Sequence, residues 1–219
     1  MHKVIKASLR SLYHQALHHR LQRRLRRQTR SRVTHLLHTP QPVHLDIGAG
    51  QVKRPAGWVT LDANEHCDLY WDLADGIPFP DHSVTEIYSS HVFEHLPPSS
   101  LVPLLRDCYR ALIPGGSLSV CVPDARLFLD AYTHKRYFVD QANPRCWRRG
   151  WFETGSLIDQ INYIAYMGGE HRLMFDDENL PAFLRLAGFH RVSLREFKDR
   201  LDLPQRKYES IYAIGYKSD

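Results

Sequence analysis

Val43-His44-Leu45-Asp46-Ile47 runs straight into Gly48-Ala49-Gly50, and the next apolar run, Trp58-Val59-Thr60-Leu61-Asp62, closes on a carboxylate sixteen positions beyond Asp46. A short strand feeding a glycine turn, then a second strand ending in an acid, is the opening of an α/β unit. Glycines at 48 and 50 let the backbone approach a ligand that a β-carbon would push away. A carboxylate after the second strand can accept two hydroxyl protons at once. In open parallel sheets, ligands sit at this carboxyl edge.

Outward from that unit, Asp68-Leu69-Tyr70-Trp71-Asp72 reads as a short third strand and Glu86-Ile87-Tyr88-Ser89-Ser90 as a fourth. Ser99 or Ser100 is the expected cap of a helix whose buried stripe is Leu101, Leu104, Leu105, Cys108 and Leu112, ending at Pro114-Gly115-Gly116. Ser117 to Val122 supplies a fifth strand. A further helix is expected from Asp177 to Ala187, followed by two late strands, Arg191 to Phe197 and Ser210 to Tyr216. Two strands so close together at the C-terminus predict an antiparallel edge on an otherwise parallel sheet.

The glycine loop and the acid at Asp62 resemble the cofactor motifs of class I S-adenosylmethionine-dependent methyltransferases. The nicotinamide alternative requires a third glycine in G-x-G-x-x-G, and that position here is Lys53. The methyltransferase likeness continues in order through Gly57 to Asp62, Asp72-Leu73 with Ile77-Pro78-Phe79-Pro80-Asp81, and Glu86 to Leu96. Ile113-Pro114-Gly115-Gly116 and Val122-Pro123-Asp124 follow. Later, Gly169 to Asp176 and Ala187-Gly188-Phe189 look like the tail of the same family. The group it is most similar to is the predicted methyltransferases associated with bacterial surface-polysaccharide biosynthesis.

The resemblance implies a Rossmann-like, doubly wound, mostly parallel α/β sheet with S-adenosylmethionine as cofactor. It assigns Asp46, Gly48 and Gly50 to the methionine end of the cofactor, Asp62 to the ribose hydroxyls, and Asp72 with the Leu73 backbone to the adenine edge. The alternative for Asp72 is a turn or helix cap. Methyl transfer is an in-line displacement, so much of the acceleration comes from holding acceptor and methyl in a near-attack geometry. A sugar hydroxyl acceptor would profit from a base within hydrogen-bond reach. His91, Glu94 and His95 follow the fourth strand at the expected methyl end, with His91 nearest the strand terminus. His171 and Asp124 complete the catalytic candidates.

Composition sets the frame around this core. The 219 residues are 43% hydrophobic and 24% charged, enough for one sizeable core, and their apolar runs stop well short of the ~20 residues of a spanning helix. Four cysteines with no C-x-x-C pair argue against a disulfide framework or zinc ribbon, and no metal is expected. Residues 1–40 hold ten Lys and Arg and no Asp or Glu, whereas the remainder is net acidic. Ile5, Leu9, Leu12, Tyr13, Ala16, Leu17, Leu21 and Leu25 recur at helical spacing amid arginines. Residues 1–40 therefore read as a basic amphipathic arm and 41–219 as the methyltransferase domain. Within it, the aromatic- and arginine-rich residues 125–175 are expected to form an acceptor lid.

These readings point to O-methylation of a glycan or related small acceptor in the cytoplasm. The arm would lie on an anionic membrane surface at the inner face, or pack on the body of the protein or on a partner enzyme. Two competitors remain at this level: an RNA methyltransferase whose arm grips phosphates, and a non-catalytic scaffold that keeps the fold. The arm's acid-free, Arg-rich character also resembles an organelle transit peptide.

Overall fold

The computed structural model describes residues 2–52, 56–139 and 154–219, with side chains from residue 19 onward. Seven strands form one sheet in the order β3-β2-β1-β4-β5-β7-β6. They are β1 (His44–Ile47), β2 (Trp58–Asp62), β3 (Leu69–Tyr70), β4 (Val84–Ser90), β5 (Leu112–Pro123), β6 (His190–Leu194) and β7 (Ser210–Tyr216). β3, β2, β1, β4 and β5 are mutually parallel, so their carboxyl ends share one edge. The antiparallel part of the sheet is made by β7, which inserts between β5 and β6 and leaves β6 outermost.

Strand alternation sorts the sheet into two unlike faces. Leu45 and Ile47 of β1 align with Leu61 of β2, Ile87 of β4 and, through it, Leu118, Val120 and Val122 of β5, all fully buried. Three helices contribute to this core. α1 (His2–Leu37) contributes Val33, α2 (Pro98–Ala111) contributes Leu101, Leu104, Leu105 and Cys108, and α5 (Asn179–Leu186) contributes Leu180 and Leu184. The opposite face carries His44, Trp58, Thr60, Glu86, Tyr88, Ser119 and Cys121 in register. The stretch after β6 closes over part of it: Phe197 and Leu201 pack with Tyr88, Cys121 and Tyr212. Among the described residues, no helix lies between β1 and β2 or between β2 and β3.

Several local readings are corrected. α2 begins at Pro98 with Pro97 as its N-cap, so Ser99 and Ser100 lie inside its first turn and cap nothing. Proline suits that start because the first helical N–H has no partner to lose. α2 also stops at Ala111, and Leu112 to Gly116 are already strand. β5 is accordingly twice as long as the run from Ser117 to Val122 suggested.

The C-terminal third of α1 is part of the body. Thr29 is buried and donates its hydroxyl to the Tyr70 carbonyl at 2.9 Å. Arg32 donates to the Asp68 carbonyl at 2.8 Å, while Arg26 pairs with Asp75 at 2.6 Å and lies over the Trp71 ring. Among the described residues, no helix is long and apolar enough to cross a membrane. Between β5 and α5 lie α3 (Ala125–Thr133) and α4 (Ile158–Tyr166), which share a small core of Ala125, Phe128 and Ile164. Phe138 and Tyr163 stack about Phe128, so these two aromatics of the expected lid take part in that small core. Trp147, Trp151, Phe152, Arg145, Arg148 and Arg149 lie outside the described residues.

Candidate active site

The glycine loop is fastened to the ends of its neighbouring strands. Gly48 N–H donates to the Leu61 carbonyl at 2.8 Å, and Gly50 N–H donates to Asp62 Oδ2 at 2.8 Å. The Gly50 carbonyl in turn accepts from Asn64 Nδ2 at 2.8 Å and from the Cys67 thiol at 3.2 Å. Gly48 and Gly50 both have positive φ, 68° and 60°. At Gly48 a β-carbon would overlap Val92, just past β4, whereas at Gly50 it would enter open space. Asp46 is buried in β1 directly beneath the loop. Trp71 N–H donates to the Asp62 carbonyl at 2.9 Å and brings the end of β3 alongside.

Loop 48–50, Asp62 and Asp72-Leu73 therefore meet at the carboxyl ends of β1, β2 and β3. That is the arrangement a nucleoside cofactor needs: a backbone cradle without side chains and a carboxylate beside it. Asp72 is exposed, and its Oδ1 accepts from Ala74 N–H at 2.9 Å, capping the single 3-10 turn Leu73–Asp75. Asp68, which the sequence did not single out, holds the same region by accepting from both the Thr60 amide and hydroxyl.

The catalytic candidates separate into two groups. Asp124 is the N-cap of α3, accepting from Arg126 N–H at 2.9 Å, with its pKa raised by burial. It stands apart from the rest. His91, Glu94, His95 and His171 come together at the end of β4, lining a cavity of about 220 Å³ with Arg206 and Glu209. Two backbone hydrogen bonds assemble this cluster: Arg172 and Leu173 N–H donate to the Glu94 carbonyl at 2.7 and 3.2 Å. They dock the segment carrying His171 against the turn carrying His91, Glu94 and His95.

His91 holds φ of 54°, a conformation that side chains rarely adopt, with its N–H donating to the Cys121 carbonyl. Its Nε2 lies 2.7 Å from Ser210 Oγ and its Nδ1 3.8 Å from Glu94 Oε1. Burial, reinforced by the positive charge of Arg206, holds His91 well below the ordinary histidine range. Burial lowers His171 as well. The Glu94 carboxyl is 2% exposed and neither oxygen has a hydrogen-bond partner, and burial pushes its pKa up to about 8. Arg206, missed in the sequence, is anchored by donating to the Ser90 carbonyl and hydroxyl at 2.7 and 2.8 Å. It ends a single 3-10 turn, Pro204–Arg206, with no motif around it.

Residues 43–120, which span the glycine loop, Asp62 and the His91 turn, match the family described as "Methyltransferase domain". The likeness covers 78 of the 219 residues and is one of this segment. A comparison with curated proteins finds no sequence match. Solved structures of similar fold include a SAM-dependent methyltransferase from Archaeoglobus fulgidus, at 16% identity over 88% of this chain and 94% of that one, TM-score 0.50. Another, from Methanosarcina mazei, has 14% identity over 85% and 97% of the two chains, TM-score 0.50. A possible exported protein from Bordetella parapertussis has 15% identity over 87% of this chain and 68% of that one, TM-score 0.51. The loop, acid and strand edge described above fit S-adenosylmethionine.

Proposed function

We propose that this chain is an O-methyltransferase acting on a glycan or related small polyhydroxylated acceptor. The observation that carries this reading is the His91-Glu94-His95-His171 cavity. It opens one residue beyond β4, and Val92 of the same turn packs against Gly48 of the cofactor loop. Its lining combines hydrogen-bonding groups with the Phe128 and Tyr163 rings, a mixture suited to a sugar with polar edges and an apolar face.

In this reading Gly48, Gly50 and Asp46 hold the methionine part of the cofactor, Asp62 the ribose, and Asp72 with Leu73 the adenine side. His91, kept neutral by burial, accepts the acceptor's hydroxyl proton. The oxygen lone pair then forms the new C–O bond while the methyl–sulfur bond breaks, and its electron pair stays on sulfur as a neutral thioether. His171 orients the acceptor and Asp124 holds α3 at the cavity rim. The test is transfer of labelled methyl from S-adenosylmethionine into a panel of sugar nucleotides and oligosaccharides. Label in the glycan that disappears with His91→Ala supports the reading; label only in RNA or protein fractions defeats it.

The reaction belongs in the cytoplasm on this reading, with the N-terminal part of α1 against anionic lipid or a partner enzyme. The arginines at its other end, Arg26 and Arg32, are already engaged with Asp75 and Asp68, which weighs against an arm devoted to nucleic-acid phosphates. Salt-sensitive co-sedimentation with anionic vesicles, lost on deleting residues 1–18, is the corresponding test.

A further inference from the structure

We propose that Glu94, His95 and His171 form a binding site for a single divalent transition-metal ion of the zinc, cobalt or iron(II) type. The first support is the donor set. One ligand atom from each residue lies within 4.8 Å of the other two. Imidazole nitrogens and one carboxylate oxygen are the ligands of zinc and related ions rather than of magnesium or calcium. Three protein ligands with room left over are typical of a catalytic rather than a structural metal.

The second support is the tautomers. His171 Nδ1 lies 2.8 Å from the Ile164 carbonyl, and His95 Nδ1 lies 3.1 Å from the Glu170 carbonyl. A carbonyl can only accept, so each Nδ1 carries the proton and each Nε2 presents a lone pair. Metal-ligating histidines are oriented in this way by the hydrogen bond on their other nitrogen. His95 Nε2 lies 3.8 Å from Glu94 Oε1, too far for a hydrogen bond and close to the ~3.5 Å between donors sharing one tetrahedral ion.

The third support is Glu94 itself. Its carboxyl is 2% exposed with both oxygens lacking hydrogen-bond partners, beside two lone pairs that repel an anion. A buried polar group in that position calls for a compensating cation. A cation resolves all three mismatches at once. Arg206 favours the Glu94 anion through space but makes no hydrogen bond to either carboxyl oxygen, and its Nη1 is held by Ser90. The cysteine spacing that spoke against a zinc ribbon is no obstacle, because this site uses no thiol.

The role of the ion rests on the methyltransferase reading above. An ion held by Glu94, His95 and His171 would act as a Lewis acid beside the cavity, making an acceptor hydroxyl there more acidic toward His91. His91 Nδ1, 3.8 Å from Glu94 Oε1, is placed for that transfer.

Cobalt(II) added to the chelator-treated full chain reads the site directly, because tetrahedral and five-coordinate cobalt have visible ligand-field bands. Wild type is expected to bind one equivalent with such bands, displaced by zinc. Glu94→Gln and His171→Gln should each weaken binding by about 100-fold or more, the loss of a ligand exceeding the loss of an outer partner. His95→Gln gives a third variant should one of these fail to fold by circular dichroism. The histidine-rich arm is a source of adventitious binding, so bands that persist in the Gln variants, or an absence of stoichiometric binding in wild type, would overturn the proposal. S-adenosylmethionine calorimetry on the same samples separates the two readings. Asp62→Ala should lose the cofactor and keep cobalt, and Glu94→Gln the reverse.

Discussion

Gly48 and Val92 are in such close approach that the glycine loop after β1 and the turn after β4 leave no volume for a β-carbon between them. The cofactor cradle and the histidine turn are thereby one packed unit. Gly48→Ala meets both a positive φ and this overlap, whereas Gly50→Ala meets only the positive φ of 60° and open space. Gly50→Ala is expected to lower stability by about 1 kcal/mol, and Gly48→Ala by about 2–3 kcal/mol with loss of cofactor binding. Denaturant midpoints and calorimetric titration distinguish the two; equal losses would mean that Val92 yields freely.

Asp62 has two tasks that a single substitution separates. Its carboxylate accepts the Gly50 N–H and, on the proposed reading, would take the ribose hydroxyls. Asp62→Ala should reduce S-adenosylmethionine affinity by about 10–100-fold, in keeping with the loss of charge-assisted bonds of about 1.5–3 kcal/mol. Asp62→Asn keeps an acceptor for Gly50 and is expected to fall between. Unchanged affinity in the alanine variant would place the ribose elsewhere.

The glycine loop and the strand ends around it were the legible part because their signal is local. Loop 48–50 and Asp62 lie within one strand-turn-strand unit, and their positions follow from alternation and glycine chemistry. Asp72 and Asp124 mark the boundary of that legibility: an acid at the end of a strand serves equally as a ligand or as the cap of the next turn. The backbone after it decides, and both cap here. The pairing of His95 with His171 was illegible for a different reason. It depends on two amides, of Arg172 and Leu173, finding the Glu94 carbonyl across a long stretch of chain. Nothing in periodicity records such a contact. Composition left the arm's resting place open between lipid, nucleic acid, a partner and the body, and for Arg26 and Arg32 it is the body.

Removal of residues 1–18 is expected to leave stability nearly unchanged, since among the described residues Arg26, Thr29, Arg32 and Val33 already anchor the helix to the body. Removal of 1–40 should destabilise strongly. Val33 is 5% exposed, and Val33→Ala alone should cost about 1–3 kcal/mol. Thermal unfolding of the two truncations and the point variant tests this; a stable 41–219 fragment would make the arm a separate unit.

Asp202 is fully buried and bonds Arg195 through both oxygens at 2.7 and 2.8 Å, while Tyr88 OH donates to it at 3.0 Å. Asp202→Ala strands a buried guanidinium and a buried phenol together. A loss of about 3–5 kcal/mol is expected, the usual effect of breaking a buried pair from one side. The double variant Asp202→Leu with Arg195→Met should recover much of it, which urea unfolding would reveal.

The cavity cluster gives metal-free protein an unusual pH profile. Glu94 has a folded pKa of about 8, so between its ordinary range and pH 8 the native state holds a proton that the unfolded chain has lost. Its contribution is intact in acid and is lost as pH rises through 8. His91 and His171 are shifted the other way, and they erode stability as pH falls below the ordinary histidine value of about 6.5. From about pH 7.5 to 8.5 the glutamate acts nearly alone, because both histidines are then largely neutral in either state. In the presence of chelator, wild type should therefore lose stability across that interval, and Glu94→Gln should not. Chemical denaturation at pH 6.5, 7.5 and 8.5 measures the gap between them. A gap that stays constant with pH would mean that the Glu94 carboxyl is already ionised at neutral pH, solvated or paired within the cavity.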